Sequence, residues 1–287
     1  MKSRILFTVV ALAGSLMVAK DAFAGLLAYE GFNYSTGVIN GATAAGGIGF
    51  DSTGWVDQGG GGEATITSGS VTPSGSALTT SGNNVYSYIR RLGRYLDTNT
   101  FADYRDGNGN IGKDNTTLYM SFVMKSTNLG SFYELELHRD GLADGTRIGG
   151  IGNDTTGTNV NLRSNVTSPS TYDSGTYSKI AAATTDASLY VAKFDFLSGS
   201  DKVTVYANPT LGTEPTTAAL VKTDAGDMSF DALSLASFNG GVFYADEIRL
   251  GTTFASVTPS SVPEPSTVGL LVTGLFGLLA YAWRKRK

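Results

Sequence analysis

Hydrophobic and polar residues alternate along much of the chain with a period of two. In Leu118–Lys125 (LYMSFVMK), Leu118, Met120, Phe122 and Met124 fall on one face. In Val242–Leu250 (VFYADEIRL), Val242, Tyr244, Ile248 and Leu250 share a face, with Glu247 and Arg249 on the other. Ser188–Phe196 and Lys202–Ala207 alternate in the same way. Successive side chains of a strand point to opposite faces, so this alternation predicts strands. Turn chemistry separates them: GNGN at 107–110, DG at 140–141 and 144–145, SGSD at 198–201. Asn208-Pro209 favours a turn that ends the strand before it. No segment of the body holds a 3.6-residue period over three turns. Many short strands with turns at this spacing predict an all-β fold, two antiparallel sheets packed as a sandwich. The glycine run Gly59–Gly62, within a Gly- and Ser-rich stretch, is expected to be a flexible loop. Thr252–Val262 is expected to be a short linker.

The two ends follow other patterns. Lys2 and Arg4 precede an apolar stretch from Ile5 to Ala19, and Ala22-Phe23-Ala24 offers small residues for cleavage between Ala24 and Gly25. That is the pattern of a secretory signal peptide over residues 1–24; an uncleaved N-terminal anchor is the alternative. At the other end, Thr267–Trp283 is 17 residues without a charge. As a helix it would extend about 25 Å, at the short end for a bilayer core of roughly 30 Å. Tyr281 and Trp283 sit where an interfacial aromatic belt belongs, and Arg284, Lys285, Arg286 and Lys287 follow as a stop-transfer signal. A transmembrane helix is therefore expected at 267–283, with both termini inside and the body outside the cytoplasm. Pro263-Glu264-Pro265, just before it, cannot be helical, because each proline lacks a donor and restrains its predecessor. An extended exposed peptide at the membrane surface suits a processing protease; a stiff linker is the plainer alternative.

Composition sharpens this. The chain of 287 residues has 21 Lys+Arg and 25 Asp+Glu. Three of the cations lie in the leader and four in the tail, with one acid in each, which leaves 14 cations and 23 acids in the body, about −9 against −4 for the whole chain. An acidic body without a basic stripe argues against nucleic acid as a partner. There is no cysteine, so disulfides, thiolate metal sites and cysteine nucleophiles are excluded.

Pro263-Glu264-Pro265, an apolar helix and a terminal Arg-Lys-Arg-Lys together resemble the PEP-CTERM sorting signal, over about the last 26 residues. The resemblance implies an exosortase as partner, a membrane protease-transpeptidase that cuts near the motif, in envelope-bearing bacteria that make exopolysaccharide. Signal peptidase and the secretion machinery are the other partners implied. The body blocks YEGFNY (29–34), 189–215 and 244–259 resemble concanavalin A-like, laminin-G-like jelly-roll domains. This implies a jelly-roll sandwich over residues 25–251.

Candidate chemistry is sparse. Some glucanases of the jelly-roll fold carry their acids on one strand as Glu-x-Asp-x-x-Glu, and FYELELHRD is the nearest match, with Glu134, Glu136, His138 and Asp140 on one face. Residues i and i+2 of a strand lie about 6.6 Å apart, within reach of glycosidase carboxylate spacing. Arg139 stands where the third acid belongs, and Glu136 replaces the Asp. The plainer reading is an exposed strand face opposite Leu135 and Leu137, with His138, the sole histidine, solvated. Asp106, Asn108 and Asn110 imitate a calcium loop, but Ile111 and Thr117 stand where an EF-hand needs Gly and Glu, so a turn is expected, with calcium binding the alternative. Asp246, among core-reading residues, is expected to bond a nearby backbone group or arginine.

The sequence thus predicts a non-enzymatic exported protein, in the inner membrane in transit and then at the cell surface or outside the cell, without a resident cofactor. Its body would be structural or would bind glycan, with exopolysaccharide as the partner in the second case. The alternative is a secreted glycan hydrolase or lyase using Glu134 and Glu136.

Overall fold

A computed structural model describes residues 25–39, 44–154, 157–171 and 174–260. The segments that alternate with period two are strands, and Ser188–Phe196 and Lys202–Ala207 begin and end where the pattern does. In chain order the described strands are β1 (Leu26–Glu30), β2 (Gly37–Val38), β3 (Val56–Ser68), β4 (Asn83–Tyr95), β5 (Thr116–Lys125), β6 (Phe132–His138) and β7 (Arg147–Asn153). They continue with β8 (Asn159–Ser164), β9 (Thr176–Ala182), β10 (Ser188–Phe196), β11 (Lys202–Ala207), β12 (Leu220–Lys222), β13 (Ala232–Phe238) and β14 (Val242–Gly251), followed by one α-helical turn, α1 (Phe254–Val257). All their pairings are antiparallel.

The strands run in the order β12-β11-β10-β5-β14-β4-β13-β6-β7-β8-β9, with β1 on β14 and β3 on β4. β4 makes this one path into two layers. Its first half, Val85–Tyr88, pairs with β14; its second half, Arg91–Tyr95, pairs with β13. Ile89 between them has a φ of 46°, rare for a β-branched residue, and the strand turns a corner there. β3 turns with it through two irregularities of register between Asp57 and Glu63. Gly59–Gly62 are therefore not a flexible loop but the inside of that corner. A Cβ on Gly60 would lie 2.2 Å from the Ile89 carbonyl oxygen, and one on Gly62 would lie 2.0 Å from that of Tyr88. Glycine is required because the two backbones approach so closely. Arg90 holds the bend, donating to the Gly60 and Gly62 carbonyls at 2.9 and 3.0 Å and pairing with Asp57.

The core lies between the layers. Leu118, Met120, Phe122 and Met124 of β5 enter it as the alternation predicts, and meet Tyr133, Leu135 and Leu137 of β6 and Leu233 and Leu235 of β13. Tyr133 packs against Phe243 across the gap, the rings tilted with centroids 5.9 Å apart. In β14 the predicted face is broken. A bulge between Asp246 and Arg249, with Glu247 at a φ of 54°, places Phe243 and Ala245 in the core together with Ile248 and Leu250, and turns Tyr244 outward. One extra residue in a strand reverses which face every later side chain takes.

The expected linker is also corrected. Thr253 and Ser256 form a capping box that starts α1. Phe254 packs edge-on against Tyr119 and Tyr206, at 6.1 and 5.5 Å, and the Thr258 carbonyl accepts the Gly212 amide at 2.9 Å. Residues 252–259 are part of the body, docked on the outer side of the first layer in a second apolar cluster with Val71, Val123 and Leu189.

Candidate functional site

Glu134, Glu136 and His138 do share one face of β6, as expected, but that face is buried: Glu134 is 1% exposed, Glu136 and His138 0%. The exposed strand and solvated histidine of the sequence reading are therefore overturned. Three arginines from neighbouring strands close over the acids. Glu136 accepts Arg91 Nε at 2.8 Å, Ser234 Oγ at 2.7 Å, and Arg147 and Arg163 each at 3.3 Å. Glu134 accepts Arg163 Nε at 3.1 Å and also pairs with its Nη2. Arg147 donates further to the Pro169 carbonyl, and Arg91 pairs with Asp144, so the loops after β6 and β8 roof the cluster. Ser234 donates to Glu136 and Thr146 donates to a backbone carbonyl, and the ring nitrogens of His138 lie within hydrogen-bond distance of these two hydroxyls, Nε2 at 2.8 Å from Ser234 Oγ and Nδ1 at 3.0 Å from Thr146 Oγ1.

These environments push the two carboxyls apart. Burial, helped by the charge of Glu136, raises Glu134 against the pull of Arg163. Burial would raise Glu136 too, but the bond from His138 and the charges of Arg91 and Arg163 outweigh it and hold Glu136 well below the usual carboxylate range. Asp140 lies past the strand end, exposed, accepting Asn110 Nδ2 at 3.1 Å. In the calcium-like loop, Asp106 Oδ1 accepts the Asn108 and Asn110 amides at 2.8 and 2.9 Å, a carboxylate spent on its own turn.

The open chemistry lies on the opposite side of the molecule, on the outer face of β3, β4, β14 and β5. Residues directly opposite in register share a face, and here the row is Thr65, Tyr86, Tyr244, Lys125, beside a second row of Glu63, Tyr88, Val242. Tyr86 and Tyr244 have ring centroids 5.2 Å apart, and Lys125 Nζ lies 5.8 Å from the Tyr244 centroid. Tyr88 is 38% exposed, among the most exposed large rings described. Burial, with Tyr244 and Glu63 nearby, raises the Tyr86 hydroxyl above its ordinary value, so the phenol stays neutral.

Beside this tyrosine platform is a cleft of about 450 Å³, lined by Thr67, Ser70, Thr72, Lys125, Asp186 and Tyr244 among others. Its wall is the segment after β3, and Asp246 holds that wall in place. The carboxyl accepts Ser70 Oγ at 2.6 Å and the Val71 amide at 3.0 Å, with the Glu247 amide on its other oxygen at 2.8 Å. The partner expected for Asp246 is thus backbone and a serine. Burial outweighs these donors and pushes its pKa up to about 8. Ser74 fixes the far end of the wall by donating its amide to the Ala187 carbonyl at 2.7 Å.

The remaining sequence candidates lie at the ends. Gly25 is described, its carbonyl accepting the Thr252 amide at 2.7 Å. Ala24 and the signal segment, Pro263, Glu264 and Pro265, the apolar run and Arg284–Lys287 lie outside the described residues. Among the described residues no helix is long and apolar enough to cross a membrane.

Residues 261–287 match the family of the PEP-CTERM protein-sorting motif. No curated protein matches the chain. Among solved structures it is similar to the binding domain of botulinum neurotoxin serotype G, with 8% identity and a TM-score of 0.40 over 82% of this chain and 50% of that one. It is similar also to the binding domain of Paraclostridial Mosquitocidal Protein 1, with 11% identity and a TM-score of 0.44 over 83% and 52%. The third is domain 4 of AbnA, a GH43 extracellular arabinanase from Geobacillus stearothermophilus, in complex with arabinotriose, with 15% identity and a TM-score of 0.39 over 83% and 98%. The chain spans about half the length of the two toxin domains. Likeness at this level carries no functional argument.

Sequence reasoning missed the platform. Tyr86 and Tyr88 stand out only as an i, i+2 pair in NNVYSYIRR, and alternation by itself does not say which of the two faces is covered. The structure buries Val85 and Ser87.

Proposed function

We propose that the chain is an exported surface protein, carried through the inner membrane and processed at its C-terminal tail by an exosortase. Its body is a concanavalin A-like jelly roll that binds glycan and is not an enzyme. The observation that carries this reading is the match of residues 261–287 to the PEP-CTERM protein-sorting motif. The span and the terminal cations of the same segment supply the pause in the membrane that processing needs. The non-enzymatic part is supported by the surroundings of Glu134 and Glu136, which face arginine rather than open space. Replacing Pro263-Glu264-Pro265 by three alanines leaves export intact and makes the uncut protein accumulate in the membrane fraction. Normal release of that variant would refute the sorting role. Incubation of the wild type with glucans liberates no reducing ends; their appearance, and their loss in Glu134→Gln/Glu136→Gln, would make the protein a hydrolase.

A further inference from the structure

Resting on the glycan-binding reading above, we propose that the Tyr86–Tyr88–Tyr244 platform and its adjoining cleft are the binding site, and that the ligand is a neutral polysaccharide.

Three properties of the place point there. The first is ring area. Three tyrosines stand on the outer face of adjacent strands, where the second apolar cluster ends and nothing described covers them fully. Aromatic rings give a large apolar surface at low entropic cost, and the C–H faces of a sugar ring are the apolar part of an otherwise hydroxylated ligand. The second is the wall. The cleft is lined mainly by serine and threonine side chains and backbone. A hydroxyl both donates and accepts, as a sugar hydroxyl does, so the two can exchange bonds without either being left unpaired. Asp246 and the Ser74–Ala187 bond fix this wall from behind, so little ordering is left to be done on binding.

The third is charge, and it decides the class. Lys125 lines the cleft together with the exposed acid Asp186, and the exposed Glu63 lies at the other edge of the platform, so acids outnumber the cation here. The body around them is acidic as well. An anionic polymer would meet net repulsion here, whereas a neutral one loses nothing. Lys125, already resting against Tyr244, and Asp186 are then available as donor and acceptor to sugar hydroxyls at either side of the stacked ring.

The test is retardation of the full-length protein, in zwitterionic detergent, on native gels cast with soluble β-glucan, mannan or alginate. A neutral polymer retards the wild type, and the retardation is the same at low and high salt. Tyr86→Ala/Tyr88→Ala weakens it by about tenfold or more. Tyr88→Phe, which keeps the ring, binds like the wild type, and the melting temperature of each single variant shows that the fold survives. Retardation by alginate alone, falling with salt, would overturn the ligand class. Undiminished binding by the double variant would overturn the position of the site and leave the glycan-binding reading intact. Retardation by none of the three would overturn this inference and the glycan-binding part of the proposed function, and leave the sorting part standing.

Discussion

The outer faces of the two layers treat polar residues in opposite ways. On the second layer, Glu134, Glu136 and His138 look in the sequence like a surface stripe, yet they are sealed under Arg91, Arg147, Arg163 and two loops. On the first layer, Tyr244 shares a face in the sequence with Ile248 and Leu250, yet it lies with Tyr86 and Tyr88 toward solvent beside a hydroxyl-lined cleft. The difference teaches that a strand's alternation says which residues share a face but not which face is covered. A charge can be buried when other charges arrive to satisfy it, and a ring can be left outside when the roof stops short of it.

The largest way to break this comparison is to unpair the sealed cluster. Glu136→Ala strands Arg91, Arg147 and Arg163 in the interior, and removing one partner of a buried ionic group costs about 3–5 kcal/mol. Urea unfolding of the full-length protein measures it; a loss below about 1 kcal/mol, typical of surface ion pairs, would mean that the cluster is solvated after all.

A second comparison separates the faces by pH. Glu136 is held low, so its contribution is complete above the ordinary glutamate value and is lost as acid carries the pH down through its folded value. Asp246, behind the cleft, is raised to about 8, so its contribution is complete below about pH 4 and is lost as the pH rises toward its folded value. The acid loss thus belongs to Glu136 on the second layer, while the loss between about pH 4 and 8 is shared by Asp246 on the first layer and Glu134, also raised by burial, on the second. Asp246→Asn should reduce the fall between about pH 4 and 8, leaving the part due to Glu134, and leave the acid fall unchanged, as read from urea midpoints across the pH range. An unchanged slope between about pH 4 and 8 would remove Asp246 from the account.

The smallest expected effect lies on the platform itself. Tyr88→Ala should change stability by no more than about 0.5 kcal/mol, because an exposed ring contributes little to folding. A large loss would mean that the ring serves the fold and not a ligand.

Much of the architecture was legible in the chain. Alternation placed β5, β10 and β11, Asn208-Pro209 marked the end of β11, and the sorting tail was readable from its order of proline, apolar run and cations. These depend on neighbours in sequence, and local pattern determines them. The misreadings share one cause. The glycine run became a strand corner because Ile89 and Tyr88 of the facing strand press against it. The supposed linker became a docked helix because Tyr119 and Tyr206 receive Phe254. β14 changed face at a bulge set by its pairing with β5. Glu134 and Glu136 became interior because arginines from three other strands converge on them. Each was decided by residues distant along the chain, and a partner distant in sequence leaves no mark on the local pattern of hydrophobic and polar positions.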